Sequence, residues 1–188
     1  ESVSDYALSE DGATLVFATS TSDSEGDGVF VVPTASASAR PLITGEGVYQ
    51  DLTLAQDGGQ VAFLTNRDSW DGEEEDRVWA LYSGGTAAGA DPQSLATLGS
   101  EGLPAGWIVS EHESLRFSTD GGRLFFGSAP RPAPAPEDTV PEAERVRLDI
   151  WNWKDPLIQP MQLVQADDER QRTYQAVVHL DSDRVVQL

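Results

Sequence analysis

FSTDGGRLFF, residues Phe117–Phe126, sets an Asp-Gly pair between two short apolar runs. The same arrangement occurs twice earlier in the chain, as LSEDGATLVF at Leu8–Phe17 and LAQDGGQVAF at Leu54–Phe63. Asp-Gly flanked by alternating apolar residues predicts a tight β-hairpin, because glycine reaches the positive φ of such turns without a Cβ penalty. Asp11, Gly12, Asp57, Gly58, Asp120 and Gly121 are accordingly assigned to turns rather than to chemistry.

Each turn opens a run of short strands. In the first unit Tyr6–Ser9 leads through the turn into TLVFAT, then VFVV at Val29–Val32 and RPLIT at Arg40–Thr44. The second unit repeats the order with DLTL, VAFLTN, RVWALY at Arg77–Tyr82 and SLATL at Ser94–Leu98. The third starts at SLRFS and RLFFGS and closes far downstream, with TYQAVVHL at Thr173–Leu180 and RVVQL at Arg184–Leu188. Four short strands in roughly 40–50 residues is the sequence pattern of one propeller blade. The expected fold is therefore all-β, a partial propeller of three four-stranded blades: 1–45, 46–100, and 101–188 with an insertion at 129–172. A closed ring takes roughly four to eight blades, so three make an arc, and the chain reads as a piece of something longer.

Composition narrows the partners. Twelve Lys and Arg against 32 Asp and Glu give a net charge of -20, which repels nucleic-acid phosphates and anionic lipid. No apolar run approaches the ~18 residues of a membrane span, so neither nucleic acid nor membrane insertion is expected. There is no cysteine, hence no disulfide framework, and this leaves the compartment open.

Candidate chemistry is sparse. His112 lies in SEHES beside Glu111, Glu113 and Ser114, but neighbouring strand residues point to opposite faces, so a blade-connecting loop is expected there. His179 alternates with Val177 and reads as a packed or edge histidine. DSEGDG at Asp23–Gly28 opens like a calcium loop, yet Thr34 stands where an EF-hand needs its bidentate Glu. That loop and DGEEEDR, Asp71–Arg77, are expected to be solvated, with no metal and no cofactor. APRPAPAP, Ala129–Pro136, reads as a stiff spacer opening the insertion, and MQLVQADDERQRT as a source of a short surface helix. Trp151 and Trp153, two apart, would share one face of a strand, where they could anchor a partner.

The turn motif and its echoes resemble the blade signature of TolB-like propellers. Three later segments, SEHESLRFSTDGGRLFFGSAPRP (Ser110–Pro132), DIWNWKDPLIQPMQL (Asp149–Leu163) and YQAVVHLDSDRVVQL (Tyr174–Leu188), together resemble the propeller of bacterial prolyl oligopeptidase-family serine peptidases. That resemblance implies a segment restricting peptide access to an α/β-hydrolase domain, in a periplasmic or secreted parent. The nucleophile elbow G-x-S-x-G occurs nowhere in the chain, so no catalytic residue is carried over and the fragment is expected to be inactive. The rival expectation is a stand-alone TolB-like propeller that binds protein or peptide. The uncovered end faces of an arc are further expected to expose Val16, Val31, Phe125 and Val177 and to draw two copies into a homodimer.

Overall fold

The turn glycines set the local geometry. Gly12, Gly58 and Gly121 hold φ values of 68°, 67° and 68°, within the left-handed region. In each turn the glycine N–H donates to the carbonyl three residues back, on Ser9, Ala55 and Ser118 respectively. The added Cβ would meet nothing within 4 Å at Gly12 and Gly121, whereas at Gly58 it would meet the Ser9 side chain of the neighbouring repeat at 3.0 Å.

The computed structural model describes residues 2–21, 26–133 and 152–188. Three antiparallel sheets account for the repeats. The first takes β1 (Ser2–Leu8), β2 (Thr14–Ser20), β3 (Gly28–Pro33) and β4 (Arg40–Thr44) in chain order. The second is β5 (Tyr49–Leu54), β6 (Gln60–Thr65), β7 (Ala80–Gly85) and β8 (Gln93–Ala96), again in chain order. The third holds β9 (Trp107–Ser110), β10 (Arg116–Phe117), β11 (Arg123–Pro130), β12 (Tyr174–His179) and β13 (Arg184–Gln187). In it β10 and β9 pair with successive stretches of the same edge of β11, so the first strand is interrupted by Glu111–Leu115. The strand β9 has no counterpart in the pattern read from sequence.

The sheets pack through two apolar clusters. Between the first and second sheets lie Val16, Ala18, Val29, Val31, Leu42, Tyr49, Leu52, Val61 and Phe63. The second cluster draws Ala62, Leu64, Leu81 and Ala96 of one sheet against Leu124, Phe126, Ala176 and Val178 of the next. The period of two along a strand explains the division: β6 sends Val61 and Phe63 to one side, Ala62 and Leu64 to the other. The first two repeats thus have one face rich in aromatics and one built of smaller residues, whereas the third puts Phe125 on one face and Phe126 on the other.

This parity corrects the expected end faces. Val16 and Val31 are 0% and 1% exposed because they belong to the small-residue face, which the second sheet covers. Val177 is also buried, and Phe125 is half-buried. The exposed face of the first sheet carries the opposite set: Tyr6 and Leu8 are 70% and 56% exposed, with half-buried Phe17 and Phe30 between the strands. Phe17 stacks on Phe30 at 5.3 Å, as Phe63 stacks on Tyr82 at 5.7 Å in the second sheet, and both pairs sit directly opposite across the ladder. Phe63 is buried against a neighbour; its repeat counterpart Phe17 is not.

The described residues between 132 and 172 belong to a second compact unit, and the other described residues to a first. The second unit contains α1 (Gln159–Arg170), which takes in MQLVQADDER and ends before the QRT of the expected segment. Trp153 lies in a turn, 79% exposed, with the Lys154 ammonium 5.3 Å from its ring, so the expected strand face is absent at this position. Trp151, the other member of that pair, lies outside the described residues.

Candidate functional site

The first strand of each sheet, β1, β5 and β10, is a sheet edge. These three edges lie side by side, β5 against both β1 and β10, and a cleft of about 500 Å³ runs across them. Its walls come from equivalent positions of the repeat: Leu8, Leu54 and Phe117 supply apolar surface, and Glu10, Gln56 and Thr119 a polar rim. The Gln56 amide donates to the Glu10 carboxylate at 3.3 Å, bridging two repeats along that rim.

A pair of carboxylates fastens the strands that form the cleft. Asp5 accepts from the backbone N–H of Leu52 at 2.9 Å, and Asp51 from that of Leu115 at 2.7 Å. Asp5 and Asp51 occupy the same position of the repeat, six residues before the turn aspartate, and each bonds to the residue after that position in the following sheet. In the third repeat Ser114 stands there instead. Asp51 has φ 55°, a left-handed conformation that Asp tolerates better than most residues, in keeping with the irregular register of β5 against β6. Burial pushes the Asp51 carboxyl above its ordinary range; the Leu115 N–H pulls the other way and the Asp5 charge adds to the rise. Glu111, His112, Glu113 and Arg116 are the other titratable or charged groups on the segment packed against it.

The turn aspartates behave differently. Asp11 is held below the usual carboxylate range, first by the Ser9 hydroxyl and then by the Ala13 N–H; Asp120 is held below it by Ser118 and Gly122 in the same order. These bonds satisfy the carboxylates inside their own turns.

The other candidates read from sequence disperse. His112 is exposed with Nε2 3.8 Å from Glu111, and its backbone N–H donates to the Ser110 hydroxyl at 3.3 Å. Glu113 accepts from the Thr173 hydroxyl at 2.8 Å, and a Cβ on Gly127 would fall 2.4 Å from the Glu113 Cβ. Glu111, His112 and Ser114 are exposed, and among the described residues no hydrogen bond joins a histidine ring to a serine hydroxyl. His179 is half-buried on β12, paired with Arg123 and Arg184. Most of the DSEGDG loop lies outside the described residues; Asp27 is buried and accepts from the backbone and hydroxyl of Thr21, closing the loop. In DGEEEDR, Asp76 pairs with Arg131 at 3.0 Å and the Arg77 guanidinium covers the Trp70 ring at 3.9 Å. Of the proline run, Ala129 and Pro130 end β11, and 134–136 lie outside the described residues. No group of three or more metal-ligating side chains is assembled among the described residues, and no described helix is long and apolar enough to cross a membrane.

No family model and no curated protein matches the chain. Among solved structures, the chain is similar to TolB from Acinetobacter baumannii, with 12% identity and a TM-score of 0.50 over 98% of this chain and 31% of that one. A prolyl endopeptidase aligns with 15% identity and a TM-score of 0.48 over 69% of this chain and 19% of that one. Hydrazine synthase from Kuenenia stuttgartiensis aligns with 18% identity and a TM-score of 0.42 over 96% and 56%. At these identities the likeness to TolB is one of fold: three consecutive antiparallel sheets in a propeller-like arrangement. The chain spans about a third of the TolB chain it matches.

Proposed function

We propose that this chain is a non-catalytic propeller segment, with blades at 1–45, 46–100 and 101–188, that holds extended peptide across its inner strands. In the parent protein, a prolyl oligopeptidase-like serine peptidase, it limits which peptides reach an α/β-hydrolase domain. The observation that carries this reading is the cleft across β1, β5 and β10, bounded by three strand edges and by Leu8, Leu54 and Phe117. Strand edges offer backbone donors and acceptors to an extended chain, and the side chains beside them sort its residues. The three sequence segments that resemble such peptidases supply the catalytic context, which fits a parent in the periplasm or outside the cell. Trp153, with Trp151, is the proposed anchor for the partner domain.

The stand-alone binding module remains the second reading, favoured by the likeness to TolB over nearly the whole chain. The first expects the 188-residue chain to bind short peptides, the second to bind protein or peptide, and both expect it to hydrolyse none and not to react with a fluorophosphonate. Calorimetric titration with unstructured tetrapeptides tests the first; covalent labelling of any serine would overturn either, and the absence of all peptide binding would overturn the first. Attachment of a G-x-S-x-G domain in the full gene separates the two.

The same reading leaves the Tyr6, Phe17 and Phe30 face for another blade or a second copy. In the isolated chain a homodimer should form and tighten with salt, as screening relieves the net charge of -20. Sedimentation at two salt concentrations reads this, and a clean monomer in both would refute it.

A further inference from the structure

The three repeats act as internal references for one another, and Arg116 departs from them. Its equivalents are Ala7 and Thr53, small residues beside the same cleft. In a chain with only 12 basic residues against 32 acidic ones, a guanidinium at this position stands out. Its carbon sits 4.5 Å from the centre of the Phe125 ring, the cross-strand partner of Arg116, so the aromatic face restrains the group. Among the described residues no carboxylate forms an ion pair with it, although Arg67, Arg131 and Arg172 each have one. The carboxylates on or beside the cleft strands in the repeat are engaged elsewhere: Asp5 accepts from Leu52, Asp51 from Leu115, and Glu10 from Gln56.

A planar guanidinium lying on an aromatic ring keeps its edge N–H groups free, and two of them match the oxygens of one carboxylate. The remaining surface of this chain repels anions, so an anionic ligand gains only where a local cation faces it. We propose that Arg116 is the anion anchor of the cleft and that it receives the C-terminal carboxylate of a bound peptide. This rests on the peptide-binding reading above and assigns that site its substrate class, peptides with a free C-terminus whose last residues lie at the β10 end of the cleft. Arg116 thereby sets specificity at one end, while strand edges and apolar walls accept the rest of the peptide without regard to charge.

The test uses the 188-residue chain and three probes in low-salt buffer: acetyl-Ala-Val-Ala-Val as the free acid, the same peptide as its amide, and an amide with Glu as the last residue. The free acid should bind at least about tenfold more tightly than the amide, the scale of one charge-assisted bidentate contact. Arg116→Ala should shrink that ratio below about twofold, with an unchanged thermal melt, while Arg123→Ala, exposed on β11 beyond the cleft lining, should preserve it. Equal binding of acid and amide by the native chain would overturn the anchor and leave peptide binding standing. A Glu amide matching the free acid would overturn the C-terminal assignment. Binding of none of the three would remove the peptide reading itself.

Discussion

Replacing Phe63 by alanine should lower the stability of the folded chain by about 3–5 kcal/mol, the usual scale for truncating a buried phenylalanine. Its ring is 0% exposed, stacked on Tyr82 at 5.7 Å and 6.3 Å from Tyr49. It packs in the cluster with Val16, Val29 and Val31 of the first sheet, so the cavity would open between two sheets. Such a void has backbone on both sides and little freedom to collapse, which places the expected loss toward the upper end. Phe17→Ala provides the contrast. Phe17 holds the same position in its repeat and stacks on Phe30 with the same 15° tilt, but it is half-buried on a face no other sheet covers. In the monomer, populated at low salt and high dilution, its loss should cost about 1 kcal/mol, chiefly the aromatic pair. Urea unfolding followed by tryptophan fluorescence measures both. Equal losses would mean that the first sheet's aromatic face is covered in solution.

Asp51→Ala is the second large effect, about 2–5 kcal/mol. The substitution strands the N–H of Leu115, a residue 6% exposed, for about 1–3 kcal/mol, and places alanine at φ 55°, for about 1–2 more. Asp51→Asn keeps both an acceptor oxygen and a side chain that tolerates the left-handed region, while removing the charge that faces Asp5. At neutral pH the asparagine variant should match or exceed the native chain. The pH dependence follows from the direction of the shift. A carboxyl whose folded-state pKa lies above its unfolded value takes up its proton more readily in the folded chain, so this group destabilises at neutral pH. That penalty fades as pH falls through the raised folded value toward the unfolded 3.8. Any advantage of Asp51→Asn should therefore shrink as the solution is acidified. Urea melts of both variants between neutral and mildly acidic pH check this; indistinguishable alanine and asparagine variants would show that the bond to Leu115 contributes nothing.

Much of the architecture was legible in local pattern. Asp-Gly between alternating apolar residues specifies a hairpin through backbone sterics alone, and three such hairpins in one order specify three sheets. Absence of the elbow motif and excess of acid needed no coordinates either. Alignment of the repeats could also have exposed Asp5, Asp51 and Arg116, since the signal is a comparison of equivalent positions rather than a motif. What each of those residues does could not be read in that way. Asp51 and Leu115 are 64 residues apart and meet because β5 lies against β10.

Burial was the other quantity beyond the reach of pattern. Alternation along a strand says that Val16 and Phe17 face opposite ways, not which side meets a neighbour. Packing decided that: the second sheet took Val16 and Val31, leaving Phe17 and Phe30 half-buried beside exposed Tyr6 and Leu8. The fold class of this chain follows from φ preferences and a period of two, both properties of a few adjacent residues. Its cleft, its inter-sheet carboxylate bonds and its exposed face follow from which sheet lies against which, a property of the assembled chain.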